Sequence, residues 1–237
     1  MENNKKQTLS IPAAIVVAGF IIMMGILIAK GGNNNNNVSV PKDKTLSEQV
    51  GVSKEALAAC LKTIDEPTLT KNISTSVESA MSGVPTDKRG TPYSVIIGQG
   101  GIKTEILGAQ SYENLKKTID DISIGKVTIA YTGKIVESEP GDHIQGNPNA
   151  PVKIIEYSDY ECPYCKAFQP ILEKVVTESN GNVAWIYRHW PIHQNSLAKL
   201  EAAECIAKIK GNDAFWKYSD LLFGLLNPTP APVTDQL

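Results

Sequence analysis

Two cysteines separated by two residues, Cys162-Pro163-Tyr164-Cys165, are the residues of this chain best suited to chemistry. They stand between a short apolar run, Val152 to Tyr157, and a stretch in which Phe168, Ile171, Leu172, Val175 and Val176 recur at helical spacing. The pattern predicts a strand, the CxxC, then a helix. Cysteines three apart at a helix start can close a small disulfide ring. Proline is tolerated at the first helical position because that N–H has no intrahelical partner. Cys162 then meets free backbone N–H groups and the positive end of the helix dipole. Both lower a thiol pKa and populate the thiolate, which is the nucleophile. Cys165, one turn further, is placed to resolve a mixed disulfide, and exchange through that intermediate is the expected chemistry. The competing readings are half of a zinc site and a structural bridge. A structural zinc takes four ligands, usually as two pairs, whereas the chain has no second CxxC and only His143, His189 and His193. No metal and no organic cofactor is therefore assigned; the redox group is the Cys162–Cys165 pair itself.

The elements that must hold this pair follow from periodicity. Residues 46–64 read as a helix with Leu57, Cys60, Leu61 and Ile64 on one face and Ser53 as an N-cap. A second helix covers about 70–82. Strands follow at Tyr93–Ile97 and Lys103–Leu107, joined by Gly98-Gln99-Gly100-Gly101. Residues 111–122 form a helix with Leu115, Ile119 and Ile122 on one face. The stretch 126–137 alternates and reads as a strand or small hairpin, and 141–151 is turn-rich. Beyond the strand at Val152–Tyr157 and the CxxC helix come a strand at Val183–Tyr187 and helices at about 196–209 and 213–226.

The 237 residues are 42% hydrophobic and 20% charged, which suits one or two globular domains. Lys and Arg number 23 against 25 Asp and Glu, so the basic excess of a nucleic-acid binder is missing. Leu9 to Ala29 is a run of 21 residues without a charge, long enough to span a bilayer core. It exceeds the roughly 7–15 residues of a signal-peptide core and no A-x-A cleavage site follows. A cleaved signal and a buried core helix are the alternatives. Lys5 and Lys6 precede the run and Lys30 follows it, which favours a cytoplasmic N-terminus. The expected organisation is a cytoplasmic tail (1–8), a transmembrane anchor (9–29), a flexible linker (30–44, containing GGNNNNNVSVPKDK) and an extracytoplasmic domain (45–237), in a compartment where disulfides persist.

Several separate stretches resemble one family. APVKIIEYSDYECPYCKAFQPILEKV (150–175), VAWIYRHWPI (183–192), HQNS and AAECIAKIKGNDAFWKYSDLLF (202–223) are similar, in that order, to DsbA-like thiol–disulfide oxidoreductases, α/β proteins with a thioredoxin-like fold and a helical insertion. GDHIQGNPNAPV resembles the usual lead-in to their first core strand. The resemblance implies Cys162 as the exposed nucleophile and Cys165 as its buried partner. Glu156, six residues before Cys162, matches an acidic position beneath the active site that could exchange protons with Cys165; a glutamate that merely ends a strand is the plainer reading. Thr91-Pro92 resembles the residue–cis-proline pair that faces the CxxC and exposes a backbone edge to a substrate peptide. Pro92 therefore joins Cys162, Cys165 and Glu156 as a catalytic candidate, and Thr91, Pro92, Pro163 and Tyr164 are candidates for substrate binding. The neutral Tyr164 departs from the Pro-His of the best-known oxidases, which leaves oxidase, reductase and isomerase all compatible with the motif. His189 and His193 resemble the family's RHFPL and HPNA-like stretches, and neither is given a catalytic role.

The order of the pieces is inverted. GVSKEALAACL, RGTPYSVIIGQGG and LGAQSYENLKKTIDDI resemble the half that follows the CxxC in relatives, yet here they precede it. The reading is a circular permutation: 45–122 as the family's C-terminal half, 123–150 as a joining segment and 151–237 as the N-terminal half, cut within the helical insertion. A homodimer that swaps halves and a rearranged or truncated gene product are the rivals. One sheet is expected, with 152–157 central, 183–187 on one side and 93–97 antiparallel on the other. Cys60 and Cys205 fall in helices of that insertion; they are either two buried free thiols or, as expected beside a thiol oxidant, a structural disulfide. The function expected is disulfide exchange with exported proteins, from a single-pass membrane protein recycled by a membrane redox partner. The alternative from another class is a thioredoxin-like peptide-binding or scaffold module without turnover.

Overall fold

The computed structural model describes residues 44–127 and 129–224. The anchor expected at 9–29 and nearly all of the 30–44 linker lie outside them. Among the described residues, no helix is long and apolar enough to cross a membrane.

The chain runs α1 (Leu46–Gln49), α2 (Lys54–Leu61), α3 (Glu66–Ala80), β1 (Tyr93–Ile97), β2 (Lys103–Leu107), α4 (Tyr112–Ser123), β3 (His143–Gly146), β4 (Val152–Ser158), α5 (Pro163–Glu178), β5 (Val183–His189), α6 (Ser196–Lys210) and α7 (Asn212–Gly224). Five strands form one sheet in the order β2-β1-β4-β5-β3. Central β4 pairs in parallel with β5 and antiparallel with β1, with Ser94 opposite Glu156 and Glu156 opposite Tyr187. Strands from both halves of the chain thus complete a single sheet.

Alternation along the strands sorts the core into two layers. Ile96, Ile154, Trp185 and Tyr187 face α4, α5, α6 and α7, meeting Leu115, Phe168, Leu172, Leu200 and Phe215. Val95, Ile155, Tyr157 and Ile186 face the other side, against Val77, Ala80 and Met81 of α3. Both faces of β4 are buried, which is why its sequence is a near-continuous apolar run. Glu156 shares the side-chain side of Ile154 and Ser158, the side on which α5 packs.

Several elements differ from the sequence expectation. The helix expected over 46–64 is broken, because Gly51 takes a positive φ of 81° and Ser53 starts a new helix by accepting the Ala56 N–H. The next helix begins at Glu66 rather than about 70, capped by Asp65 with Pro67 in its first turn. No strand forms among the described residues of 126–137. That stretch lies along the sheet and α3 through isolated bonds, Thr104 Oγ1 to the Ile129 carbonyl at 2.8 Å and Lys134 N–H to the Ser79 carbonyl at 2.9 Å. Gly133 is tight against α3, where a Cβ would sit 2.1 Å from the Ala80 carbonyl oxygen. The turn-rich 141–151 contains β3, which covers the free edge of β5. A buried Arg188 on β5 fixes the stretch just before β3, bonding Asp142 through Nε at 2.7 Å and Nη2 at 3.0 Å, and Glu139 through Nη1 at 3.1 Å.

Cys60 on α2 and Cys205 on α6 are joined by a disulfide, with Cα atoms 5.8 Å apart.

Candidate functional site

Cys162 is the N-cap of α5, with Pro163 at the first helical position. Its backbone N–H is held by the Asp159 carbonyl at 3.1 Å, and its own carbonyl accepts the first helical bond from Lys166. The Cys162 thiol donates to the Thr91 carbonyl at 3.3 Å, so the loop before β1 sits directly against the CxxC. The Thr91–Pro92 peptide is cis. Tyr164 is exposed, whereas Cys162 is only 3% exposed and Cys165 fully buried. The expectation of an exposed Cys162 is therefore corrected: the residue is buried, with the Thr91 carbonyl against its sulfur.

The two thiols are pushed apart in acidity. Cys162 is lowered to about 6, first by a hydrogen bond from Cys165, with burial working against it and the Thr91 side chain and the N–H groups of Cys165 and Tyr164 adding to the lowering. The Thr91 hydroxyl is buried and has no hydrogen-bond partner among the described residues. Cys165 is raised well above the ordinary thiol range, first by burial, then by its bond to Cys162 and the nearby charge of Glu156. Carbamidomethylation of the reduced protein by iodoacetamide should therefore modify Cys162 before Cys165, with the rate rising through a midpoint near pH 6. Peptide mapping over pH 4–9 checks both the residue and the midpoint; preferential labelling of Cys165 reverses the assignment.

Glu156 lies beneath α5, fully buried, and its Oε2 accepts the Trp185 indole N–H at 2.9 Å. Burial raises its pKa to about 8, partly offset by hydrogen bonds from Ser158 and Trp185 and increased by the Cys162 charge. Ser158 also bonds Cys165, so Glu156, Ser158 and Cys165 form one buried polar group. A carboxyl with a raised folded pKa supports the fold below its unfolded value near 4.5, and that support is lost as pH rises through about 8. In the oxidised protein, where neither active-site thiol titrates, Glu156→Gln should remove this share of the pH dependence, leaving the smaller slope that Asp220, raised to about 6, contributes. The variant should exceed the parent by a few kcal/mol at pH 9. Urea unfolding at pH 5 and pH 9 tests this, and parallel pH profiles for the two proteins would refute it.

Asp159 fastens the loop that flanks the motif. Its Oδ2 accepts the N–H groups of Ile192 at 2.7 Å and His193 at 3.0 Å, and its Oδ1 accepts the Glu161 N–H at 2.6 Å and the Ser196 hydroxyl. Burial would raise this carboxyl, but the bonds from Ser196, Glu161, His193 and Ile192 hold it low. Asp159, Ser158 and Trp185 were not singled out from the sequence. The signal for Ser158 is its place two residues beyond Glu156 on one strand face; Trp185 and the targets of Asp159 are neighbours only in three dimensions.

A cysteine pair at a helix start, facing a cis-proline loop on a central β-sheet, defines a thioredoxin-like α/β protein. Residues 138–225 match the thioredoxin family. The Na(+)/H(+) antiporter NhaA 1 of Salinispora arenicola is 37% identical over 84 residues, 34% of this chain and 12% of the antiporter. The chain thus spans about an eighth of the length of the curated relatives it matches. Among solved structures, DsbA2 of Pseudomonas aeruginosa is 30% identical with a TM-score of 0.35, covering 40% of this chain and 56% of that one. BdbD of Bacillus subtilis, in its oxidised form, is 27% identical with a TM-score of 0.30, covering 40% and 52%.

Proposed function

We propose that this chain is a DsbA-like thiol–disulfide oxidoreductase that exchanges disulfides with exported proteins. The observation that carries the reading is the split acidity of the CxxC, a Cys162 lowered to about 6 against a Cys165 raised far above it. In the oxidising direction a substrate thiolate attacks the Cys162 sulfur and the Cys162–Cys165 bond breaks. The electron pair goes to Cys165, which takes up a proton, with the protonated Glu156 as donor through Ser158. A second substrate thiolate then attacks the substrate sulfur of the mixed disulfide and releases Cys162 as its stable thiolate. Two electrons pass from the substrate dithiol to the CxxC, and the reverse sequence reduces or isomerises a substrate disulfide. The Thr91-Pro92 loop and the exposed Tyr164 border the sulfur and supply the substrate edge, with Pro163 between them.

In this reading 9–29 anchors the chain in the membrane with 1–8 cytoplasmic, 30–44 tethers the domain outside, and a membrane redox partner recycles the CxxC. The halves are those of the family in permuted order, which the sheet built from 93–107 and 143–189 supports. Reoxidation of reduced ribonuclease and dithiothreitol-driven insulin reduction by the full chain test the activity. Turnover in either that disappears on alkylation of Cys162 is expected. A folded chain inactive in both would favour the scaffold reading.

A further inference from the structure

His143 on β3, His189 on β5 and Glu204 on α6 converge on one point in the fold. The Nε2 atoms of both histidines lie 2.8 Å from the same oxygen, Oε1 of Glu204, and the three ligand atoms all fall within 4.8 Å of one another. We infer that His143, His189 and Glu204 form a binding site for a divalent transition-metal ion of the zinc type.

The donor set is right for such an ion. Two imidazoles and one carboxylate make a three-ligand site that leaves a position for water, a set zinc and iron(II) both accept. The rings are fixed before any ion arrives. His143 stacks on Phe215 with centroids 3.4 Å apart and planes 9° from parallel. His189 meets the same ring edge-on at 6.0 Å and contacts Tyr160 and Tyr187. Both histidines are buried, at 6% and 8% exposure, while the Glu204 side chain is 29% exposed.

A hydrogen-bonded bridge alone would account for the 2.8 Å distances. The space beside it points to more. A cavity of about 150 Å³ opens onto all three residues, lined also by Asn72, Glu139 and Asp142. Glu139 and Asp142 share the single guanidinium of Arg188, so with Glu204 the acidic groups outnumber the arginine there. The cavity thus offers a cation a route in and room for the water ligands that three protein groups leave open. Metal–ligand bonds of about 2.0–2.2 Å at tetrahedral angles set ligand atoms roughly 3.4 Å apart. Glu204 therefore has to withdraw by about 0.6 Å from each nitrogen, a shift its partial exposure allows, and each imidazole gives up the Nε2 proton it donates to Glu204 and binds as the Nδ1–H tautomer. Bound there, the ion would join the 123–150 segment, the sheet and the helix bearing Cys205. The three residues are 61 and 15 positions from one another along the chain, a spacing that carries no motif, and this assignment departs from the sequence expectation of no metal.

The test uses the full chain with Cys162→Ser and Cys165→Ser, so that no active-site thiol competes for the ion. Equilibrium dialysis against Zn²⁺ should give one ion per chain. Co²⁺ in its place should give a ligand-field spectrum of nitrogen and oxygen ligands without sulfur charge-transfer bands. Glu204→Gln and His143→Gln should each weaken binding at least tenfold, with circular dichroism checking that they fold. Absence of Zn²⁺ uptake and of the Co²⁺ spectrum in the parent overturns the proposal. Equal binding by folded variants does so too. If both variants unfold, the Co²⁺ spectrum of the parent decides alone.

Discussion

Replacing Cys162 with serine is expected to reduce disulfide exchange to the uncatalysed background, while Cys165→Ser traps substrates in mixed disulfides. The asymmetry follows from the positions of the two sulfurs. Cys162 caps α5, where backbone N–H groups, the Thr91 side chain and the Cys165 thiol all favour its anion. A serine hydroxyl there stays protonated and is no nucleophile toward sulfur. Cys165 is fully buried beside Glu156 and has no path to a bulky substrate, so its loss leaves attack at position 162 intact and removes only the resolving step. Non-reducing electrophoresis of each variant incubated with a disulfide-containing peptide reads this directly. Mixed disulfides accumulating with Cys162→Ser instead would exchange the two roles.

Removing the bridge in the Cys60→Ala/Cys205→Ala double variant is expected to cost up to about 5 kcal/mol of unfolding free energy. The bridged residues are 145 apart in sequence, so most of the described domain lies within the loop it closes, and the chain-entropy relation gives about 5 kcal/mol as an upper figure. Packing replaces only part of it, because α2 has no buried residue and meets the core through the half-buried Ala56 and Leu57. Guanidinium unfolding of the oxidised parent and the variant measures the difference. A change under about 1 kcal/mol would show that α2 is held by its other contacts, or that the reduced unfolded chain keeps structure of its own.

Legibility from sequence tracked burial. Tyr93–Ile97, Val152–Tyr157 and Val183–Tyr187 are apolar because both of their faces are covered, and such runs announce themselves. His143–Gly146 is a strand for a different reason: it lies on the free edge of β5, and its residues, half polar and ending in glycine, carry no such mark. The alternation in 126–137 has the opposite history, a strand-like pattern spent on single contacts to Ser79 and Thr104 rather than a ladder. At the site, the helix start marked Cys162 as the candidate nucleophile. Thr91-Pro92 was legible as the pair facing it, but how tightly the Thr91 carbonyl packs on the sulfur was not. The partners of Glu156 divide in the same way: Ser158 shares its strand, while Trp185 is brought to it by the β4–β5 register.

The pairing of β1 with β4 sets the order in which the protein can be finished as it is made. Tyr93 lies opposite Tyr157, so on the ribosome the first hairpin emerges with one apolar edge waiting for a strand about sixty residues behind it. That strand arrives together with the cysteines. The CxxC therefore does not exist until the strand that pairs with β1 is being made; until then the nascent chain exposes an open strand edge and the single Cys60 thiol, whose partner Cys205 follows 145 residues later.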